Sequence, residues 1–129
     1  MGAGPYAGGM TTTTHTAPAD VLNIYFDSWR TKDFESLRAI LADEATFSGP
    51  FGTAANADEC VRGIEGLSRI TTDIVVKRLW ADGPEVLTWF ELHTTIAPPT
   101  QVANWSLVQD GRIVRIEVTF DPREMLAAG

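Results

Sequence analysis

The feature that most constrains this chain is a change of hydrophobic period at Thr71. Before it, apolar residues recur at three- and four-residue steps; after it, as far as Phe120, they alternate with polar ones. The first pattern places one side of a helix against a core and the second places one face of a sheet there, so the two halves cannot exchange roles. Asp82-Gly83, Pro98-Pro99 and Asp110-Gly111 divide the alternating half into four strands, near Ile74 to Trp80, Glu85 to Thr94, Val102 to Gln109 and Arg112 to Phe120. Helices first and strands afterwards, joined by tight turns, predict an α+β fold. Three N-terminal helices would cover one face of a curved, mainly antiparallel sheet.

The helical half divides at its caps. From Pro18 to Arg30 the apolar stripe runs through Val21, Ile24, Tyr25, Ser28 and Trp29, widened by Leu22 and Phe26. Asp33 suits the N-cap of a shorter helix whose Phe34, Leu37, Ile40 and Leu41 share a face, and the Thr31-Lys32 corner folds the two into a hairpin. Ala45 to Ser48 reads as one brief strand that runs into an irregular Gly49-Pro50-Phe51-Gly52 loop. Asn56 suits the N-cap of a third helix with Asp58 and Glu59 at the positive end of its dipole and Cys60, Val61, Ile64 and Leu67 facing inward. Residues 17–127 form a single domain on this reading. Met1 to His15, rich in Gly and Thr, lacks the basic start and apolar run of a secretory signal; residues 1–16 read as a disordered lead-in, within which Met10 offers a second possible start.

Alternation assigns sheet faces. Val86, Thr88, Phe90 and Leu92 look inward in the second strand, leaving Leu87, Trp89, Glu91 and His93 outside. The same rule, led by the largest apolar side chains, turns Ala103, Trp105 and Leu107 inward in the third strand, and Val114, Ile116, Val118 and Phe120 in the last. Leu87, Trp89 and Val108 then make the outer face too apolar for free solvent and predict a homodimer through it. Four Trp and six Phe can wall an apolar pocket as well as fill a core. The expected lining is Tyr25, Trp29, Phe47, Phe51, Thr88, Phe90, Trp105 and Phe120.

A formal net charge of −7 offers phosphates no basic stripe, so neither nucleic acid nor a membrane is an expected partner. Cys60 stands alone and two His show no metal-binding spacing, so no metal or cofactor is expected, and a reducing, cytoplasmic location is. His93 and Glu91 could form an imidazole–carboxylate pair, but their phase puts them on the outer face, where a surface or interface pair is the simpler reading.

The stretch Tyr25 to Gly52, YFDSWRTKDFESLRAILADEATFSGPFG, resembles without a gap the corresponding stretch of bacterial ketosteroid isomerases, and the closing DGRIVRIEVTFDPREML is similar to the ending of SnoaL-like proteins. The resemblance spans nearly all of Ala17 to Leu126. It implies the nuclear transport factor 2-like (NTF2-like) cone, a cystatin-like α+β roll that hosts isomerases, polyketide cyclases, epoxide hydrolases and noncatalytic binding proteins. Ketosteroid isomerisation needs a carboxylate base and an oxyanion hole made of a Tyr and a protonated Asp. By this resemblance Tyr25 stands at the oxyanion Tyr, but Gly49 occupies the position of the base and Ala103 that of the second donor. Strict ketosteroid isomerase activity is therefore excluded, while the pocket is retained.

A SnoaL-type cyclisation would need one acid/base carboxylate, for which Asp121 is the candidate; Asp-Pro at a strand end is also ordinary turn chemistry. The Asp-Arg-Asp arrangement of the superfamily's epoxide hydrolases has no counterpart among Trp89, Phe90, Glu91 and Leu92. Tyr25 and Asp121 thus stand as the catalytic candidates, for a polyketide- or steroid-like carbonyl compound. The alternative is a noncatalytic homodimer that binds a ligand or serves as an accessory module.

Overall fold

A computed structural model describes residues 17–128, so the lead-in expected over residues 1–16 lies outside the described residues. Three helices precede the sheet half: α1 (Pro18–Thr31), α2 (Phe34–Ala39) and α3 (Ala57–Ser68). Strands β1 (Leu41–Gly49) and β2 (Gly52–Ala54) lie between α2 and α3. Then come β3 (Thr71–Asp82), β4 (Glu85–Thr94), β5 (Thr100–Gln109) and β6 (Arg112–Thr119), with a short α4 (Arg123–Ala128) closing the described chain. The six strands form one curved sheet in the order β2-β1-β6-β5-β4-β3. All pairs are antiparallel except β1 with β6. That parallel pair joins the first strand to the last, which brings the Gly49–Gly52 loop beside the end of β6.

The expected caps are in place. The Asp33 carboxylate accepts the Ser36 backbone N–H at 3.2 Å, and the Asn56 side chain accepts that of Glu59 at 2.9 Å. Lys32, in the left-handed region at φ 62, stops α1 and turns the chain into α2. The β5–β6 hairpin turns on Asp110 and Gly111, both at positive φ, as a two-residue loop between right-twisted strands requires.

α1 buries Val21, Leu22, Tyr25, Phe26, Ser28 and Trp29 against the inner sheet face, where Phe26 and Trp29 meet Phe90 with ring centroids 4.9 and 5.9 Å apart. Ile24, expected in that stripe, is instead 37% exposed. The inner face of β4 is Val86, Thr88, Phe90 and Leu92, all buried. Among the described residues no helix is long and apolar enough to cross a membrane.

Four sequence expectations need correction. Leu41 is not on the second helix; α2 ends at Ala39 and β1 begins at once, so β1 is much longer than the brief strand expected at Ala45 to Ser48. β5 has the opposite phase: Val102, Asn104, Ser106 and Val108 are buried, and Ala103, Trp105 and Leu107 turn outward. Polar Asn104 and Ser106 can lie inside because they satisfy each other, Ser106 Oγ donating to Asn104 Oδ1 at 2.8 Å. In β6 the pairing slips between Leu107↔Arg115 and Val108↔Ile113, so Val114 is an extra residue and Ile113, not Val114, fills the core beside Ile116. Finally, α4 is a fourth helix, anchored through Met125.

Candidate functional site

A cavity of about 240 Å³ opens between α1, α3, the β1–β2 loop and the inner face of β4 to β6. Its buried floor includes Tyr25, Trp29, Phe90, Val102, Asn104 and Cys60. Its mouth is formed by exposed Phe51, Gly52, Thr53 and Gly63 with half-buried Glu59 and Phe120. Phe51 and Phe120 meet edge to face there, with centroids 5.0 Å apart.

Each donor on the floor is set by its element. Tyr25 and Trp29 lie one helical turn apart on the inner stripe of α1, their rings edge to face at 6.4 Å. Burial, with a smaller contribution from Cys60, holds the Tyr25 phenol neutral far above its ordinary titration near 10.0, so it stays a donor at any physiological pH. No hydrogen bond occupies its hydroxyl among the described residues. The buried Nε1–H of Trp29 is likewise without an acceptor. On the facing strand, Asn104, a lining residue, accepts from Ser106 with its carbonyl oxygen, and its amide N–H groups donate to no other described residue. Cys60 gives its thiol hydrogen to the Ala45 carbonyl at 3.6 Å, and burial pushes the thiol up to about 11, away from nucleophilic use.

Of the expected lining, the structure brings Tyr25, Trp29, Phe47, Phe51, Phe90 and Phe120 together around the cavity. Thr88 is fully buried but lies behind the wall, its Oγ1 without a partner. Trp105 sits on the outer face through the inverted β5 phase, donating Nε1–H to Glu85 Oε1 at 2.9 Å with Arg115 over its ring. Asp121 also lies outside the cavity. Its carboxylate is exposed and taken up by Arg123, whose backbone N–H and guanidinium donate to it at 2.6–3.1 Å and hold it down at about 2.

Sequence reasoning missed three lining residues with polar side chains, Thr53, Glu59 and Asn104. Asn104 was hidden by the rule that polar residues face out, and Ala103, one residue earlier, was taken for the inward position. Glu59 was seen only as a helix-dipole partner, although the cavity lies against the same side of α3. Among the described residues no group of three or more His, Cys, Asp and Glu side chains is placed to hold a metal ion.

The outer face is organised differently. Trp89 Nε1 donates to Gln101 Oε1 at 3.0 Å, and Gln101 Nε2 donates to Glu91 Oε2 at 3.0 Å. Lys77 Nζ stands 2.9 Å from Glu91 Oε2 and 5.3 Å from the Trp89 ring centroid. His93 Nε2 lies 3.1 Å from Glu91 Oε1, so Glu91 and His93 do share the outer face. Lys77 reaches this group because it is the extra residue where the β3–β4 pairing slips between Val76↔Phe90 and Arg78↔Trp89. Lys77, Gln101 and His93 together hold the Glu91 carboxyl down at about 2.

Helices over a curved sheet, with an apolar cavity between them, define a protein of the nuclear transport factor 2-like class. Residues 23–116 match the SnoaL-like domain, and the chain belongs to that family. A protein of Kribbella flavida superposes with a TM-score of 0.81 at 25% identity, over 85% of this chain and 91% of that one. An NTF2-like protein from Cytophaga hutchinsonii gives 0.78 at 19% identity, over 89% and 99%. An LEH-like epoxide hydrolase of M. tuberculosis gives 0.72 at 20% identity, over 86% and 87%. No curated protein matches the sequence significantly.

Proposed function

We propose that the cavity binds a small, mainly hydrophobic carbonyl compound, with Tyr25 O–H and the Asn104 amide donating to the carbonyl oxygen. The observation that carries this reading is the mismatch between walls and floor: apolar walls enclose Tyr25, Trp29 and Asn104, whose side-chain N–H and O–H groups donate to no other described residue. A buried donor without a partner costs on the order of 1–3 kcal/mol, and a ligand oxygen would recover it. Donors without a facing acceptor select an oxygen that carries no proton. They would hold an enolate more strongly than a ketone.

Size narrows the ligand class. Ligand pockets commonly enclose ~300–1,000 Å³, and about 240 Å³ falls below that range. The enclosed part of the ligand is therefore one or two rings; a four-ring steroid skeleton would protrude past Phe51. Epoxide hydrolysis of the Asp-Arg-Asp kind is not favoured, because Asp121 lies outside the cavity and the lining holds a single carboxylate, Glu59.

The reading is tested by thermal denaturation with a bicyclic ketone such as decalone, against its parent hydrocarbon decalin. A ligand that binds only the folded state raises Tm by mass action. The expected result is a dose-dependent rise with the ketone, smaller with the hydrocarbon and reduced in Tyr25→Phe. Unchanged Tm with both compounds would overturn it.

We further infer that the protein acts as a homodimer in a reducing compartment, the cytoplasm. Support for the dimer comes from Trp80, Leu87 and Trp89, each more than 40% exposed on the outer face, flanked by cations and carboxylates that a two-fold axis could pair. Sedimentation equilibrium should give a dimer for the native chain and a monomer for Leu87→Glu.

A further inference from the structure

Glu59 is the one charged side chain among the residues lining the cavity, and its position is fixed by the chain itself. It is the third residue of α3, where its backbone N–H donates to the Asn56 cap while its own Oε1 accepts the Ala55 N–H at 2.9 Å. This reciprocal pair holds the carboxylate in one orientation and leaves Oε2 without a hydrogen bond among the described residues. One turn further, on the same side of α3, stands Gly63, where an added Cβ would meet no other atom within 4 Å. A glycine inside a helix costs about 0.5–1 kcal/mol relative to alanine. Here it leaves bare backbone at the mouth, immediately beside the carboxylate.

The two ends of the cavity therefore ask for opposite chemistry. The floor presents donors from Tyr25, Trp29 and Asn104; the mouth presents an acceptor with negative charge. We infer that the mouth is a second recognition point, so that the natural ligand carries a hydrogen-bond-donating group, an amine above all, on the end remote from its carbonyl. Compounds with a carboxylate at that end are turned away by Glu59. This rests on the carbonyl-binding reading above and adds to it the direction in which the ligand lies.

The test is calorimetric titration at low salt with three probes: decalone, an amino-decalone and a decalone carboxylate, each substituted on the ring remote from the ketone. The native chain should bind the amine about tenfold tighter than the carboxylate, since one fixed charge acts with opposite sign on the two. In Glu59→Gln, whose side-chain oxygen can still accept the Ala55 N–H, that ratio should collapse toward unity. Gly63→Leu, which fills the mouth, should weaken all three. A native ratio near unity, or a ratio that survives Glu59→Gln in a folded variant, would overturn the inference while leaving carbonyl binding intact. Failure of all three probes to bind would overturn the carbonyl reading and this one with it.

Discussion

β4 presents two faces that the same alternation built and that treat polar groups in opposite ways. Outside, Trp89, Glu91 and His93 belong to a network in which the indole N–H, the carboxylate oxygens and the imidazole nitrogen nearest Glu91 have partners within 3.1 Å. Inside, where an unpartnered polar group is most costly, Thr88 Oγ1 and Trp29 Nε1 have none among the described residues, and the Tyr25 hydroxyl and Asn104 amide donate to no other described residue. The wet face is satisfied by its own side chains, whereas the dry one holds polar groups that are not. The outer network orders its own surface; the carbonyl compound proposed above would supply the acceptor that the floor donors lack.

The contrast can be broken most forcefully by truncating one residue of each face. Phe90→Ala should cost about 3–5 kcal/mol in urea unfolding, as expected for a buried aromatic, whereas Trp89→Ala next to it should cost under about 1 kcal/mol as for an exposed site. Equal costs would mean that the outer face is also core. Gly49→Asp comes next. A Cβ there meets the Phe47 ring at 3.2 Å and Val118 at 3.5 Å, so crowding and a buried carboxylate should cost on the order of 1–3 kcal/mol. Desolvation would raise the folded-state pKa of that Asp above its unfolded value. The variant's deficit should then be smallest at low pH and grow as pH rises through the folded value.

Thr88→Val sharpens the comparison by removing the idle hydroxyl with little change of shape. Stability should rise by about 1 kcal/mol; a fall of similar size would show that the hydroxyl has a partner after all. The smallest effect expected is on the outer face. Glu91 titrates at about 2, below its ordinary 4.5, so its network adds stability that is complete above the ordinary value and lost as pH falls toward 2. Glu91→Gln should flatten the acid limb of the stability curve over that window, with a small loss at neutral pH that closes as pH falls toward 2, as read by thermal unfolding in graded buffers.

Much of the fold was legible because local signals agreed. Asp33 and Asn56 are caps, Asp110-Gly111 is the turn, and in β4 Glu91 and His93 on one side against Val86, Phe90 and Leu92 on the other set the phase. β5 could not be read that way: Asn104 and Ser106 go in as a mutually satisfied pair, and Trp105 goes out under Arg115 with its N–H on Glu85. A rule that sends large apolar residues inward inverts such a strand. The bulges at Lys77 and Val114 each shift register by one residue and leave no mark in composition. At the site, the aromatic lining was visible because aromatic residues are few and recur at structural periods. The polar members were not, because Asn104 followed the inverted phase and Glu59 looked like an ordinary first-turn carboxylate.

The central claim is that the spare donors on the cavity floor hold a carbonyl oxygen, and it is tested most directly by the carbonyl carbon resonance of labelled decalone bound to the protein. Two hydrogen bonds to the oxygen should move that resonance downfield of its position in hydrocarbon solvent, with part of the shift lost in Tyr25→Phe and part in Asn104→Leu. A bound ketone whose resonance matches the hydrocarbon value, and does not respond to either substitution, would contradict the account.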